Sequence, residues 1–179
     1  MILKRPNINL YDSERFISLP YENVVFLISE DFVEGTLAVH KFDLKLNDWN
    51  WDKKNTVNFL DKEVPYVPFD LVADLFAIKL EETFGLRNKN LPPKKVVYTY
   101  VKTVLVLKGF ENSLVTSMDC CVVPAKDCKL TPLKGLPQKI LEKLGIETCC
   151  SINEKIGIFI NPFKFLSVVE KNIQEAGRA

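Results

Sequence analysis

The chain reads as an α+β protein: a mainly antiparallel sheet of about six strands with about three helices packed on it, most simply on one face. Three observations lead there. Strand-like runs come in three pairs, and each pair leads into a run with helical spacing. Proline, glycine and asparagine fall at the joints between these runs. With 179 residues, 47% apolar and 26% charged, the chain matches a single globular domain over residues 1–179 with room for a sizeable core.

In chain order, residues 23–29 carry Val24, Val25, Phe26, Leu27 and Ile28 in succession, the pattern of a strand buried on both faces. Residues 35–46 follow as the second run of the first pair in sequence. Their second half alternates, with His40, Phe42, Leu44 and Leu46 on one side and Lys41, Asp43 and Lys45 on the other. Residues 47–64 read as a polar excursion that contains both tryptophans. A helix is expected over about residues 68–84, with Pro68 at its first position, Asp70 at the positive end of its dipole and Gly85 as its terminator. Phe69, Val72, Ala73, Phe76, Leu80 and Phe84 form its inward stripe, which leaves Asp70, Asp74 and Glu81 on the wet side.

A basic connector, residues 86–95, leads into a long strand over residues 96–107. This strand turns at residues 108–112 and returns along residues 113–123, with Leu114, Thr116, Met118, Cys120 and Val122 on one face. Residues 125–135 form a second lysine-rich loop. A short helix over about residues 137–144 directs Ile140, Leu141 and Leu144 inward and stops at Gly145. Residues 146–152 and 155–160 make a hairpin about Asn153 and Glu154. Asn161 and Pro162 then cap and open the last helix, in which Pro162, Phe165, Leu166, Val169 and Ile173 repeat at helical spacing.

Charge is distributed unevenly although the whole chain carries only +1. Residues 12–82 hold 15 carboxylates against 7 basic side chains, whereas residues 83–143 hold 11 basic side chains against 4 carboxylates. Such polarity favours attraction between copies, or contact of the basic side with phosphates and acidic lipid. Arg87, Lys89, Lys94 and Lys95 crowd about the stiff Pro92-Pro93 pair, and Lys126, Lys129 and Lys134 form a second cluster. If the two clusters meet, they make an anion-binding patch that matters at physiological salt. A lysine-rich loop is as often plain solvated surface. Trp49 and Trp51, in Asn-Asp-Trp-Asn-Trp-Asp, either bury against the core or serve as protein-contact anchors. Asp48 and Asp52 beside them suit a protein partner better than an anionic membrane.

No motif requires a cofactor. The glycine patterns for phosphate or dinucleotide binding do not occur, and neither does Gly-x-Ser-x-Gly. The five cysteines include two doublets, Cys120-Cys121 and Cys149-Cys150. Adjacent strand residues point to opposite faces, so a doublet does not give two ligands to one tetrahedral metal, and no metal site is expected. One cysteine of each doublet is expected to be a small core residue. Cys128, among lysines, is the thiol expected to be most reactive. An odd cysteine count and an N-terminus without a signal-peptide core point to an intracellular, reducing compartment. His40, on an apolar face, is more simply a hydrogen-bonded structural residue than a general base.

The order of elements resembles the matrix proteins of rhabdoviruses, particularly the compact forms of plant-infecting members. The resemblance runs through Tyr21-Glu22-Asn23 before the early apolar strand, the Pro68-Phe69 helix start, the long strand over residues 96–107, and Leu136-Pro137-Gln138-Lys139-Ile140-Leu141 before the closing hairpin. It implies self-association, contact with a nucleoprotein or RNA, peripheral contact with anionic membrane, and a place in the virion. Two family features are missing, and the final helix over residues 162–176 is an addition to the pattern. Only Lys4 and Arg5 stand where a lysine-rich tail would be, and Leu91-Pro92-Pro93-Lys94 lacks the tyrosine of a Pro-Pro-x-Tyr motif. Residues and resemblance together favour a non-enzymatic structural protein. The alternatives are a small intracellular enzyme using His40 or a carboxylate, and a nucleic-acid-binding protein without sequence specificity.

Overall fold

The computed structural model describes residues 9–22, 24–38, 55–83, 103–109, 112–116, 120–131 and 136–176. These residues form two sheets and three α-helices. The α+β class holds, but the strands divide between a six-stranded and a five-stranded sheet, each of mixed direction, in place of one sheet of six.

Sheet A contains β1 (Arg15–Tyr21), β2 (Val24–Ser29), β8 (Cys121–Pro124), β9 (Lys129–Thr131), β10 (Ile146–Ile152) and β11 (Lys155–Ile160), in the order β8-β1-β2-β11-β10-β9. Sheet B contains β3 (Val33–Ala38), β4 (Thr56–Phe59), β5 (Lys62–Pro68), β6 (Thr103–Leu107) and β7 (Ser113–Thr116), in the order β3-β6-β7-β5-β4. The helices are α1 (Phe69–Thr83), α2 (Leu136–Lys143) and α3 (Pro162–Ala176).

Both sheets curl, because both carry apolar side chains on both faces. In β2, Val25 and Leu27 join Phe16, Val123, Cys150 and Phe159 in a cluster inside sheet A. Phe26 and Ile28 on the other face join the central core with α1, α3 and the outer face of sheet B. Val64, Val104, Val106 and Val115 fill the inside of sheet B with Phe59 and Tyr66. The edges of sheet A, β8 and β9, run in the same direction and are separated by only residues 125–128. They act as one interrupted strand that pairs first with β1 and then with β10, closing the sheet on itself. Sheet B closes differently: the edge strands β3 and β4 meet where the Phe59 ring lies over Gly35, 2.6 Å from where a Cβ on that residue would stand.

Phe26 centres the core, with its ring 5.3 Å from Phe69, 5.7 Å from Phe165 and 6.2 Å from Phe76. Phe76 and Phe165, 4.8 Å apart, lock α1 to α3. Ser13 and Ser29 hydroxyls lie 2.6 Å apart, and both reach Asp31 Oδ2 at 3.2 Å, fixing the turn that carries the chain from sheet A to sheet B.

Several local expectations need correction. Residues 47–64 are not wholly an excursion, since their second part opens the β4–β5 hairpin; Val57 and Phe59 point inward while Thr56 and Asn58 stay wet. Pro68 ends β5, so α1 begins at Phe69. The return strand expected over residues 113–123 is two strands in two different sheets, β7 and β8. Residues 129–131 of the second lysine-rich loop are strand β9. Asp70 is buried, and Asp74 accepts a hydrogen bond from the Tyr21 hydroxyl, so this side of α1 is not the solvated face its charges imply. The β10–β11 hairpin, α2 and α3 match their expected positions, and Asn161 Oδ1 accepts from the amides of Phe163 and Lys164 at the N-terminus of α3.

Gly157 tests the interior of sheet A. A Cβ there would stand 2.5 Å from Cys150 Sγ and 2.9 Å from Leu27 Cδ1. Gly157→Ala should therefore cost about 1–3 kcal/mol by overpacking, measured by urea denaturation. An unchanged midpoint would mean that the sheet does not close over this cluster.

Candidate protein-contact surface

Of the cationic residues singled out in the sequence, Lys126 and Lys129 are described, and both are exposed on the segment that closes sheet A. Asp127 stands between them, so the segment is only mildly positive. Arg87, Lys89, Lys94, Lys95 and Lys134 lie outside the described residues, as do Trp49, Trp51 and His40.

Cys128 corrects the sequence-based expectation of reactivity. Lys126 and Lys129 lie close to it in sequence, but its side chain points into sheet A and is buried. Burial pushes its thiol pKa up, with a hydrogen bond to Cys150 partly opposing the shift. Cys150 is pushed from its ordinary value of 9.0 to about 12, first by burial and then by Cys128. Cys150 is thus the core member of its doublet, while Cys120 packs against the central core and leaves Cys121 exposed. Cys121 Sγ lies 2.9 Å from Ser18 Oγ on the neighbouring strand. Among the described residues, no three His, Cys, Asp or Glu side chains converge as a metal site. Nor is any described helix long and apolar enough to cross a membrane.

Two features escaped the sequence. The first is a row across the outer face of sheet A, where register aligns Lys129, Ser151, Ile156, Val24 and Tyr21 on five neighbouring strands. Lys129 and Ser151 are exposed, Ile156 is 59% exposed, and Val24 and Tyr21 are half-buried. Tyr21 is held at its end of the row by Asp74 on α1. Burial is the main cause that raises its phenolic pKa, followed by the hydrogen bond to Asp74. The second is the tip of the β4–β5 hairpin, where Leu60 is 72% exposed beside exposed Asp61. Neither was legible in a linear reading. The row is assembled from strands far apart in the chain, and the tip lacks the glycine or asparagine that marks a tight hairpin.

Glu147 shows how the sheet and α3 are joined. The β10–β11 register shifts between Ile146 and Thr148, placing Glu147 at the irregularity. Burial raises its carboxyl pKa, while Lys164 and a hydrogen bond with Asn161 pull it back down. Its place at the start of α3 suits a carboxylate, because the helix dipole is positive there.

The thiols set an expectation for alkaline pH. A thiol whose folded pKa is raised stabilises the fold fully below its unfolded value, and that contribution is lost as pH rises through the folded value. Stability should therefore decline between about pH 9 and pH 12 as the unfolded state releases protons that Cys150 and Cys128 retain when folded. Tyr21 shifts in the same direction. At neutral pH, iodoacetamide should label Cys121 well before Cys128 or Cys150, read by peptide mass spectrometry. Early labelling of Cys128 would restore it as a reactive thiol.

No family model and no curated protein sequence matches the chain. Among solved structures, it is similar to the scaffolding protein TtCheW from Thermoanaerobacter tengcongensis, at 10% identity and a TM-score of 0.42. The match covers 83% of this chain and 89% of the other. A likeness of that size bears on neither the function nor the partners of this chain.

Proposed function

We propose that the protein is a non-enzymatic structural component that assembles with copies of itself. Its cationic segments meet anionic partners, a nucleoprotein or an acidic membrane surface. This is the matrix-type role that the family resemblance implies. The observation that carries the proposal is separation of charge. Among the described residues the asymmetry is slight: Glu34, Asp61 and Glu63 stand exposed on sheet B with Lys62 between the last two, and Lys126 and Lys129 stand exposed where sheet A closes with Asp127 between them. Over the whole chain it is larger, acidic over residues 12–82 and basic over residues 83–143.

Unlike charges on separate surfaces set orientation and encounter rate more than affinity. An apolar anchor supplies the rest, and Trp49 and Trp51 remain candidates for one such anchor. Head-to-tail contact of unlike surfaces builds open chains or lattices unless the rotation closes a ring.

Light scattering over a salt series, with and without anionic vesicles and RNA, tests the proposal. Oligomers should shrink as the screening length falls below ~10 Å, and binding to vesicles or RNA should weaken with salt as counterion release loses its driving force. Neutralising Arg87, Lys89, Lys94 and Lys95 together should weaken that binding, and a variant that binds as the parent does would place the contact elsewhere. A protein that stays monomeric at low salt and binds neither surface would overturn the proposal.

A further inference from the structure

We propose that the hairpin tip at Leu60 and Asp61 docks on the shelf formed by Lys129, Ser151 and Ile156 of a second copy, joining molecules head to tail. This rests on the self-association reading and specifies its contact.

The tip is costly to the monomer in two ways. Leu60 and Asp61 have φ values of 48° and 61°, the left-handed pair of a two-residue hairpin turn. Asparagine, aspartate and glycine suit such positions, whereas leucine is strained there. The β10–β11 hairpin provides the comparison within the same chain: its turn has φ values of 45° and 63°, with Asn153 at the place where β4–β5 has Leu60. Leu60 is also 72% exposed, so it recovers little of its hydrophobic free energy in the monomer. Asp61 suits its position, but a strained, exposed leucine before it is poorly chosen for a turn and well chosen for a contact.

The shelf is complementary. Ile156 is 59% exposed on the outer face of sheet A, beside half-buried Val24 on one neighbouring strand and exposed Ser151 on the other. Lys129 pairs with Ser151 one strand further out. Strands lie ~4.8 Å apart, so Ile156 and Lys129 are separated by roughly 10 Å. A leucine seated on Ile156 and Val24 therefore places a following aspartate within reach of the lysine ammonium. Asp61 and Lys129 are both exposed and make no ion pair with another described residue. The tip does not cover its own shelf, because both surfaces are open in the monomer. They differ and lie on different sheets, so their contact is heterologous. A leucine on a short strip buries less area than the roughly 1,200 Å² below which interfaces are weak and transient.

Sedimentation velocity at protein concentrations up to roughly 1 mM tests the contact. Leu60→Asn should abolish association while raising Tm by about 1–3 °C, since asparagine accepts the left-handed conformation. Ile156→Glu should also give a monomer. An equal mixture of the two variants should form dimers and nothing larger, because one retains the shelf and the other the tip. Lys129→Glu should weaken association, and combining it with Asp61→Lys should restore it, which keeps the test valid if Ile156→Glu folds poorly. Association of both single variants at the parent level would sink this contact and leave self-assembly standing. A mixture that stays monomeric, with each variant monomeric alone, would replace the head-to-tail pairing with a symmetric one. A parent that remains monomeric throughout would sink both readings.

Discussion

The structure depends on one constraint: its central strands are apolar on both faces. Phe26 and Leu27 are adjacent in β2 and both buried, but they belong to different cores. A flat sheet with one helical layer would leave one of those faces in water, at a cost of about 1.5–3 kcal/mol for each large side chain. Curling each sheet around its own small cluster removes one face from solvent. Packing the two outer faces together with α1 and α3 removes the other. The closing segment 121–131 and the Gly35–Phe59 contact follow from this requirement.

Polar pins set the orientation of the curled sheets. Dispersion and apolar burial tolerate small slides of one layer over another, whereas a buried hydrogen bond does not. The Tyr21 hydroxyl donates to Asp74, binding β1 to α1 beside the core. Ser13, Ser29 and Asp31 do the same where the chain leaves sheet A for sheet B. Breaking the serine cluster would strand the buried Ser13 and Ser29 hydroxyls, so it contributes to the choice of arrangement more than its net stability implies.

Elements with strong local chemistry were legible in the sequence. Asn153-Glu154 between two apolar runs specifies a hairpin, Asn161-Pro162 opens α3, and the apolar stripe of α1 is buried at Phe69, Val72, Ala73 and Phe76. Elements that depend on long-range pairing were not. β4 has only Val57 and Phe59 facing inward, and its turn residues resemble no common hairpin signal. Residues 113–123 look like one strand because linear periodicity does not show where the chain leaves one sheet for another. Cys128 misled for a related reason: charge near it in sequence indicated a reactive thiol, but the close of sheet A turns its side chain into an apolar interior. Lys126 and Lys129 were found from composition, whereas the row that gives Lys129 its neighbours required the register of five strands.

The two parts of the proposed function reinforce each other through concentration. A contact made by one leucine and one ion pair is too weak to assemble dilute molecules. If its cationic segments bind a polyanion or acidic surface as proposed, copies would be confined side by side and the next contact would become nearly intramolecular. Under that confinement a weak head-to-tail contact becomes effective, and it dissolves when the surface is lost. A stronger apolar interface would assemble in free solution and expose a larger sticky patch before any partner was met. Surface-directed assembly is therefore better served by a small strained tip and a short shelf than by a broad hydrophobic face.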